Sequence, residues 1–236
     1  MTGRELKKLK KDIAGNDIAT NLQMLAARYP GQIIFTTSFG VEDQVITDII
    51  FRNEIDIEVV AIDTGRLFEE TCKVHSNTLK VYRKPIRVLF PDRDEVERLL
   101  TEKGPYSFYQ SVENRKECCH IRKVIPLGRA LEGKKLWITG IRADQSPGRS
   151  SMESLELDEL RGIIKYHPLF DWSLKQVEEY LDVNHVPHNE LHYKGYVSIG
   201  CEPCTRAIRP GEDFRSGRWW WEDQSGKECG LHTKQN

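Results

Sequence analysis

The chain has 236 residues, 39% hydrophobic and 30% charged, which is enough to bury the core of one ordinary domain or two small ones. Its 35 basic and 36 acidic residues leave a net charge of −1, and this balance argues against a nucleic-acid-binding protein. The N-terminal residues are polar and no apolar run could span a bilayer, so we expect a cytoplasmic protein with neither membrane nor nucleic acid as a partner.

Helices and strands are predicted to alternate along the first two thirds of the chain. Apolar residues at helical spacing predict an amphipathic helix over 12–29, which Pro30-Gly31 ends. Short β-rich runs predict strands at 33–37, 58–62, 86–90 and 136–140, and helices are predicted at about 43–51, 68–80, 122–131 and 174–183. This alternation predicts an α/β fold with a mostly parallel sheet flanked by helices.

Three glycine-containing loops directly follow predicted strands. They are Ser38-Phe39-Gly40, Asp63-Thr64-Gly65 and the turn at Gly140. One such glycine is explained by a tight turn, but open α/β sheets bind ligands beyond the carboxyl ends of their strands. Three loops in series therefore predict a nucleotide pocket, although residues 38–43 lack the phosphate-loop pattern of NTPases.

Four of the six cysteines form a constellation, Cys118-Cys119 and the C-x-x-C of Cys201 and Cys204. A zinc site, a thioredoxin-type redox pair, four unliganded thiols and a [4Fe–4S] cluster are the alternatives. The tandem pair is awkward for zinc and the C-x-x-C lies too late for thioredoxin, so the cluster is favoured. Cys72, in the predicted helix 68–80, is interpreted as a buried structural residue.

A further cysteine, Cys229, lies between Lys227 and His232 near the end of the sequence. A neighbouring lysine or protonated histidine lowers a thiol's pKa and favours the reactive thiolate. We therefore predict that Cys229 is a nucleophile on a mobile C-terminal tail, the alternative being an exposed cysteine without a role.

Two other groups of residues have simpler interpretations. His120, His185, His188 and His192 could indicate a metal site, and the spacing of the last three could suit one. Pro187 interrupts that stretch, however, and a structural role is favoured. The run Trp219-Trp220-Trp221 could stack on bases, yet without a basic groove we expect it to pack at the base of the tail.

The chain resembles the sulfonucleotide reductases, and in particular the iron–sulfur adenylyl-sulfate (APS) reductases. The resemblance runs from about residue 33 to 232. It rests on SFGVEDQV (38–45), DTGRLFEET (63–71), CCHIRKVIPL (118–127), WITGIRADQS (137–146), HPLFDW (167–172), SIGCEPCTR (198–206), GRWWWE (217–222) and KECGLH (227–232). The related reductases that use 3′-phospho-APS usually lack the four cluster cysteines, all of which this chain has.

The resemblance implies a fold similar to that of the adenine-nucleotide α-hydrolases. It implies one [4Fe–4S] cluster on Cys118, Cys119, Cys201 and Cys204, in a reductase domain over 1–214 that precedes a C-terminal segment at 215–236. It also implies that Cys229 attacks the sulfur of APS, and that reduced thioredoxin or glutaredoxin then releases sulfite.

The substrate's oxyanions require fixed positive charge. By resemblance, the residues that bind or lie beside the phosphosulfate are Lys123, Arg149, Arg215, Arg218 and His232. The residues expected to line the nucleotide site are Ser38, Gly40, Asp63, Gly65 and Gly140. If 119–131 is helical, Lys123 lies on the same face as Cys119, four residues earlier.

Three other functions remain as alternatives. The chain could prefer 3′-phospho-APS or accept both sulfonucleotides, it could be a non-catalytic iron–sulfur sensor, or it could be an ATP-dependent adenylating enzyme. The intact KECGLH motif argues against the sensor, and the sequence of 38–43 argues against ATP-dependent adenylation. The oligomeric state, including a homo-oligomer, is left open.

Overall fold

The structure is a computed structural model, which describes residues 3–145, 149 and 152–222. Cys229 and His232 lie outside the described residues. The described helices are α1 (Gly3–Ile13), α2 (Ile18–Arg28), α3 (Val41–Arg52), α4 (Glu69–Tyr82), α5 (Arg93–Lys103), α6 (Val112–Cys119), α7 (Ile125–Leu131) and α8 (Leu174–Asn184). The strands are β1 (Ile33–Thr37), β2 (Glu58–Ile62), β3 (Arg87–Leu89), β4 (Leu136–Ile138), β5 (Leu155–Asp158) and β6 (Ile163–Tyr166).

The six strands form one sheet in the order β3-β2-β1-β4-β6-β5. Strand β1 pairs in parallel with both β2 and β4, and β4 pairs in parallel with β6. Strand β5 is antiparallel to β6 and closes the edge as a hairpin. The predicted α/β fold with a mostly parallel sheet is therefore confirmed, with one antiparallel edge strand that the sequence analysis did not predict.

The chain divides into two compact units. Unit 1 comprises Met1–Ala61, Lys73–Arg87 and Gly133–Asn189, and unit 2 comprises Ile62–Cys72, Val88–Glu132 and Glu190–Asn236. The core of unit 1 is aliphatic and aromatic, whereas three cysteines, Cys118, Cys201 and Cys204, belong to the core of unit 2. The predicted boundary between 214 and 215 concerns a segment that is only partly described, so it stays a prediction.

The single helix expected over 12–29 is wrong, because α1 ends at Ile13 and α2 begins at Ile18. Gly15 adopts a positive φ of 81°, which suits glycine and stops a helix. The Asp17 carboxylate then accepts a hydrogen bond from the Thr20 amide and caps α2. Helical periodicity alone did not reveal this break.

A π-helical turn, His120–Val124, joins α6 to α7 without interrupting the helical path. Pro126 lies in the first turn of α7 and has no N–H to donate to the Arg122 carbonyl. The Ile125 amide donates to the His120 carbonyl, five residues earlier, which is the hydrogen bond of a π-helix. The helix expected over 122–131 therefore begins earlier. The turn between Cys119 and Lys123 is π-helical rather than α-helical, but both residues line the same cavity, as their expected position on one face predicted.

The other predicted elements lie within about two residues of the observed ones. Helices α5 and α6 and the β5–β6 hairpin were not predicted. Cys72 is exposed on α4, so its interpretation as a buried residue is also wrong. Within the described ranges, no helix has both the length and the apolar character needed to cross a membrane.

Candidate active site and metal centre

Four cysteines from two separate segments of unit 2 line one cavity. Cys118 and Cys119 end α6, Cys201 immediately precedes a short 3-10 turn, and Cys204 is the last residue of that turn. Three of the four are buried and none forms a disulfide. The predicted cysteine constellation is therefore brought together by the fold.

The thiols of this cavity differ in their acidity. Burial raises the pKa of Cys118, and it raises the pKa of Cys204 to about 12. Burial also opposes ionisation of Cys201, but the Lys123 charge, a hydrogen bond from Thr64 and the Arg218 charge bring its pKa below the usual range. Three buried thiols and one half-buried thiol cannot all ionise here without further positive charge, which iron would supply.

The chemistry of the donor set shows which metal groups this cavity could hold. All four candidate ligands are cysteine thiols, which suit a [4Fe–4S] cluster and also occur in structural zinc sites. The residues present therefore fit an iron–sulfur cluster, and the preference for it over zinc still rests on the spacing of the cysteines in the sequence.

Four cationic side chains line the same cavity, Arg66, Arg115, Arg122 and Lys123. Lys123 was predicted from the resemblance, and the three arginines were missed. The density of Arg and Lys around Cys118-Cys119, in NRKECCHIRK, was a signal that could have identified Arg115 and Arg122. Thiolates and iron–sulfur groups carry net negative charge, which these cations balance.

The loop that contains Asp63 and Gly65 is tied directly to the cysteines. The Arg122 guanidinium donates to the Thr64 carbonyl at 2.7 Å, and the Thr64 hydroxyl lies 3.3 Å from the Cys201 sulfur. The Glu202 amide donates to the Arg66 carbonyl at 2.9 Å. The Asp63 carboxylate accepts from the Gly65 amide at 2.8 Å, which shapes the turn.

Arg218 is buried beneath the loop that precedes Cys201. Its guanidinium donates to the Ile199 carbonyl at 3.2 Å and to the Ser198 hydroxyl at 3.4 Å. A Cβ at Gly200 would overlap that guanidinium, so only glycine allows this close approach. The structure thus places Arg218 beside the cysteine loop, and Arg215 lies over the Trp219 ring at 5.9 Å.

A buried ion pair anchors the last described residues. The Arg115 guanidinium donates to both carboxylate oxygens of Glu222, at 2.8 and 2.9 Å. The same guanidinium lies over the Trp219 ring at 4.6 Å. This bidentate pair fixes the point from which the chain continues towards Cys229, seven residues later.

In unit 1, the loops after β1 and β4 meet beyond the carboxyl ends of these two strands. The Asp43 carboxylate accepts hydrogen bonds from the Ser38 amide at 2.6 Å and from the Ser38 hydroxyl at 2.7 Å. A Cβ at Gly140 would overlap the Asp43 carboxylate, which would then have to shift from its present position. Burial raises the pKa of Asp43 to about 6. Ser38, Gly40 and Gly140 are therefore brought together as the sequence predicted for a ligand loop.

A polar network continues from this edge to Arg149. Glu42 accepts hydrogen bonds from Arg142 and Gln145, each at 2.8 Å, and the Arg149 guanidinium donates to Gln145. Arg142 is fully buried, so its pairing with Glu42 holds the loop that leads to Arg149. Arg142, Glu42 and Asp43 were not predicted as site residues.

The predicted site residues fall into three groups. Unit 1 holds Ser38, Gly40, Gly140 and Arg149, and unit 2 holds Asp63, Gly65, Lys123, Arg215 and Arg218 along with the four cysteines. Cys229 and His232 lie outside the described residues, so their roles stay predictions. His185, His188 and His192 form no metal-binding group within the described part of the chain.

The sequence pattern of one protein family, described as "Phosphoadenosine phosphosulfate reductase domain", matches residues 32–207. The match covers about three quarters of the chain, including the loops at 38–40, 63–65 and 140 and the cysteines 118, 119, 201 and 204. Only the C-terminal segment and the first helices lie beyond it.

Characterised relatives match most of the chain. A protein from Agrobacterium fabrum named adenosine 5′-phosphosulfate reductase is 47% identical over 95% of this chain and 86% of its own length. One of the same name from Allochromatium vinosum is 42% identical over 100% of this chain and 93% of its own length.

Solved structures agree with the fold. The phosphoadenylyl-sulfate reductase of Candida auris, in a phosphate complex, has a TM-score of 0.74 and 26% identity over 88% of this chain and 98% of its own. Yeast FAD synthetase has a TM-score of 0.56 at 14% identity, covering 86% of this chain and 67% of its own. The second likeness shows the fold alone.

Proposed function

Because the chain belongs to the phosphoadenosine phosphosulfate reductase domain family, we propose that it is an oxidoreductase that reduces adenosine 5′-phosphosulfate (APS) to sulfite and AMP in sulfate assimilation. Its relatives that bear the name adenosine 5′-phosphosulfate reductase support APS as the substrate. The observation that carries the proposal is the cavity lined by four cysteines and Lys123.

Cys118, Cys119, Cys201 and Cys204 would hold one [4Fe–4S] cluster. Its chemistry there would be electrostatic, since a dithiol can supply both electrons that the reaction needs. The five free cysteines among the described residues suit a reducing compartment, which supports a cytoplasmic location.

The first chemical step is the attack of the Cys229 thiolate on the sulfur of APS. A sulfur–sulfur bond forms, the bond between sulfur and the bridging phosphate oxygen breaks, and AMP leaves with that electron pair. The enzyme then carries an S-sulfocysteine at Cys229. A low leaving-group pKa and a large thiolate fraction speed such an attack.

The second step regenerates the enzyme. One thiolate of reduced thioredoxin or glutaredoxin attacks the Cys229 sulfur and expels sulfite, leaving a mixed disulfide. The second thiol of the same protein attacks this disulfide, which frees Cys229 and oxidises the partner by two electrons. No electron is needed from iron.

The remaining predicted residues would bind the nucleotide and its oxyanions. By resemblance, the residues that would bind the nucleotide are Ser38, Gly40, Asp63, Gly65 and Gly140, each of which follows a strand of the sheet. Lys123, Arg149, Arg215, Arg218 and His232 would provide positive charge for the phosphosulfate. Arg218 would do so while it also supports the loop before Cys201.

A second candidate is reduction of 3′-phospho-APS, alone or together with APS. The phosphoadenylyl-sulfate reductase of Candida auris shares the fold at 26% identity and motivates this alternative. A non-catalytic iron–sulfur sensor is a weaker alternative, because it would need no nucleophile at Cys229.

The decisive experiment measures AMP-forming turnover with APS and with 3′-phospho-APS, side by side. The protein is purified anaerobically and supplied with reduced thioredoxin, and the Cys229→Ser variant is the control. We expect a strong preference for APS that the substitution abolishes. Comparable rates with the two nucleotides would establish a dual-substrate enzyme, and no turnover by iron-loaded protein would favour the sensor.

A further inference from the structure

Three exposed aromatic side chains of unit 2 form a continuous surface, which we name the aromatic patch. It consists of Tyr106, Tyr109 and Trp220, whose exposed fractions are 62%, 38% and 47%. The ring centroids of Tyr106 and Tyr109 are 6.2 Å apart, and those of Tyr109 and Trp220 are 6.4 Å apart. Nothing in the reaction proposed above uses these side chains.

The aromatic patch is built rigidly on the cysteine site. The Tyr109 hydroxyl donates to the Pro203 carbonyl at 2.6 Å, inside the loop between Cys201 and Cys204. Trp221 packs behind Tyr109 with a centroid separation of 4.4 Å. Rigid aromatic anchors lose little conformational entropy on binding, which is why tyrosine and tryptophan dominate the energetics of protein interfaces.

The position of the aromatic patch along the chain restricts what can bind it. Trp220 precedes Cys229 by nine residues. Since an extended chain spans at most about 3.6 Å per residue, Cys229 lies within roughly 32 Å of Trp220 whatever the conformation between them. A protein that attacks the sulfur of Cys229 must therefore bind within one small-domain diameter of the patch.

An arginine accompanies the aromatic patch. The Arg66 guanidinium donates to the Pro105 carbonyl at 2.6 Å, next to Tyr106 in the sequence, and lies 4.9 Å from the centroid of the Phe108 ring. Aromatic and arginine side chains are enriched in protein–protein interfaces, so this composition suits a protein as the occupant.

We propose that the aromatic patch is the docking surface for the dithiol protein that releases sulfite from Cys229. This inference rests on the proposed function, because it assigns a surface to that reaction's second partner. The patch would hold the partner's apolar surface while the dithiol reaches Cys229.

The test separates docking from chemistry with Tyr106→Ser, Trp220→Ser and the double variant. Phe90→Ser, which removes another exposed aromatic side chain of unit 2, is the matched control. The first assay measures the AMP burst with APS and no reductant. The second measures steady-state sulfite release, with either reduced thioredoxin or dithiothreitol as the reductant.

We expect each single variant to raise the KM for thioredoxin at least fivefold, and the double variant to raise it further, as for interface hot spots. The AMP burst, the iron content and the rate with dithiothreitol should match those of the wild type and Phe90→Ser. An unchanged KM for thioredoxin would overturn the inference.

Two other results would also overturn the inference by identifying another occupant. A slower AMP burst in Tyr106→Ser at full iron content would mean that residues 223–236 use the patch. A wild-type dimer that dissociates in Tyr106→Ser, measured by sedimentation, would mean that a second copy covers it. If the wild type gives no AMP burst, the proposed function fails and this inference fails with it.

Discussion

Lys123 lines the same cavity as the four cysteines, and its charge lowers the pKa of Cys201 against the effect of burial. A cation in this position can act on both the thiolates and a bound oxyanion. We expect Lys123→Ala to slow the single-turnover AMP burst at least tenfold, because that stabilisation of the reacting phosphosulfate is lost. The measurement is a quenched-flow burst with APS, alongside iron and sulfide content.

Lys116→Ala is the matched control, since Lys116 is exposed on α6 and does not line the cavity. Lys123→Arg should retain more activity than Lys123→Ala because it keeps the charge. A burst in Lys123→Ala as fast as that of the wild type, at full iron content, would contradict a role for this lysine in the chemical step.

Asp43 predicts a pH dependence of stability. Burial raises its pKa to about 6, against an ordinary value of 3.8, so the folded state holds this proton more tightly than the unfolded state. Stability therefore decreases as pH rises between about 4 and 6, and above that window the penalty is constant at roughly 3 kcal/mol. Asp43→Asn removes the titration and should remove that decrease.

The measurement compares urea-unfolding midpoints of the wild type and Asp43→Asn from pH 4 to pH 7. The wild type should lose stability relative to the variant across this range. Curves that stay parallel would show that Asp43 does not titrate there.

At the residue scale, the sequence predicted side chains of distinctive chemistry but missed side chains whose position in the site depends on packing contacts. That the four cysteines would come together could be predicted from their residue type and spacing. Arg66 could not, since it reaches the cavity only because the Glu202 amide and the Phe108 ring pack against its segment. Such contacts join positions far apart in sequence, which spacing does not encode.

At the scale of elements, the π-helical turn between α6 and α7 sets the register between the cysteines and Lys123. Pro126 disfavours an α-helical turn here, because it has no N–H to donate to the Arg122 carbonyl. We expect Pro126→Ala to favour an α-helical turn, to move Lys123 from its place in the cavity and to slow the AMP burst severalfold. Burst kinetics and the iron content would be measured together.

Gly128→Ala is the control for the π-helical turn, since it lies in the same helix and its added Cβ would meet no atom within 4 Å. It should stabilise α7 by about 1 kcal/mol without a change of register, and it should leave the burst intact. If Pro126→Ala reacted as fast as Gly128→Ala, the π-helical turn would have no part in placing Lys123.

Three of the predicted strands, β1, β2 and β4, have neighbours on both sides, whereas the predicted β3 is an edge strand and the unpredicted β6 is buried between β4 and β5. Strand β1 is a run of Ile, Phe and Thr that is almost wholly buried, and such a run is recognisable without context. Strand β5 mixes leucine with acidic residues, and its half-buried Asp158 pairs with Lys165 on β6 at 2.9 Å and with Arg161 at 2.8 Å. The residues of such a strand do not predict a strand by themselves, because its stability depends on charges of the neighbouring strand.

At the scale of the whole molecule, the two units have cores of different chemistry. The core of unit 1 is formed by aliphatic and aromatic side chains. The core of unit 2 contains Cys118, Cys201 and Cys204, and four cations line the cavity beside them. The stability of unit 2 should therefore depend on a bound cluster far more than that of unit 1 does.

Removal of iron tests this difference. Hydrogen exchange is measured on the iron-loaded protein and again after anaerobic chelation. We expect amides of α6, α7 and residues 198–219 to exchange at least tenfold faster after chelation, because thiols and cations then face one another without the charge that balances them. Amides of β1, β4 and α3 should keep their protection.

Cys72→Ser is the control and should behave as the wild type, since Cys72 is exposed and lines no part of the cavity. Equal loss of protection in both units would show that they unfold together, and unchanged exchange in α6 would show that the cysteine core is stable without iron.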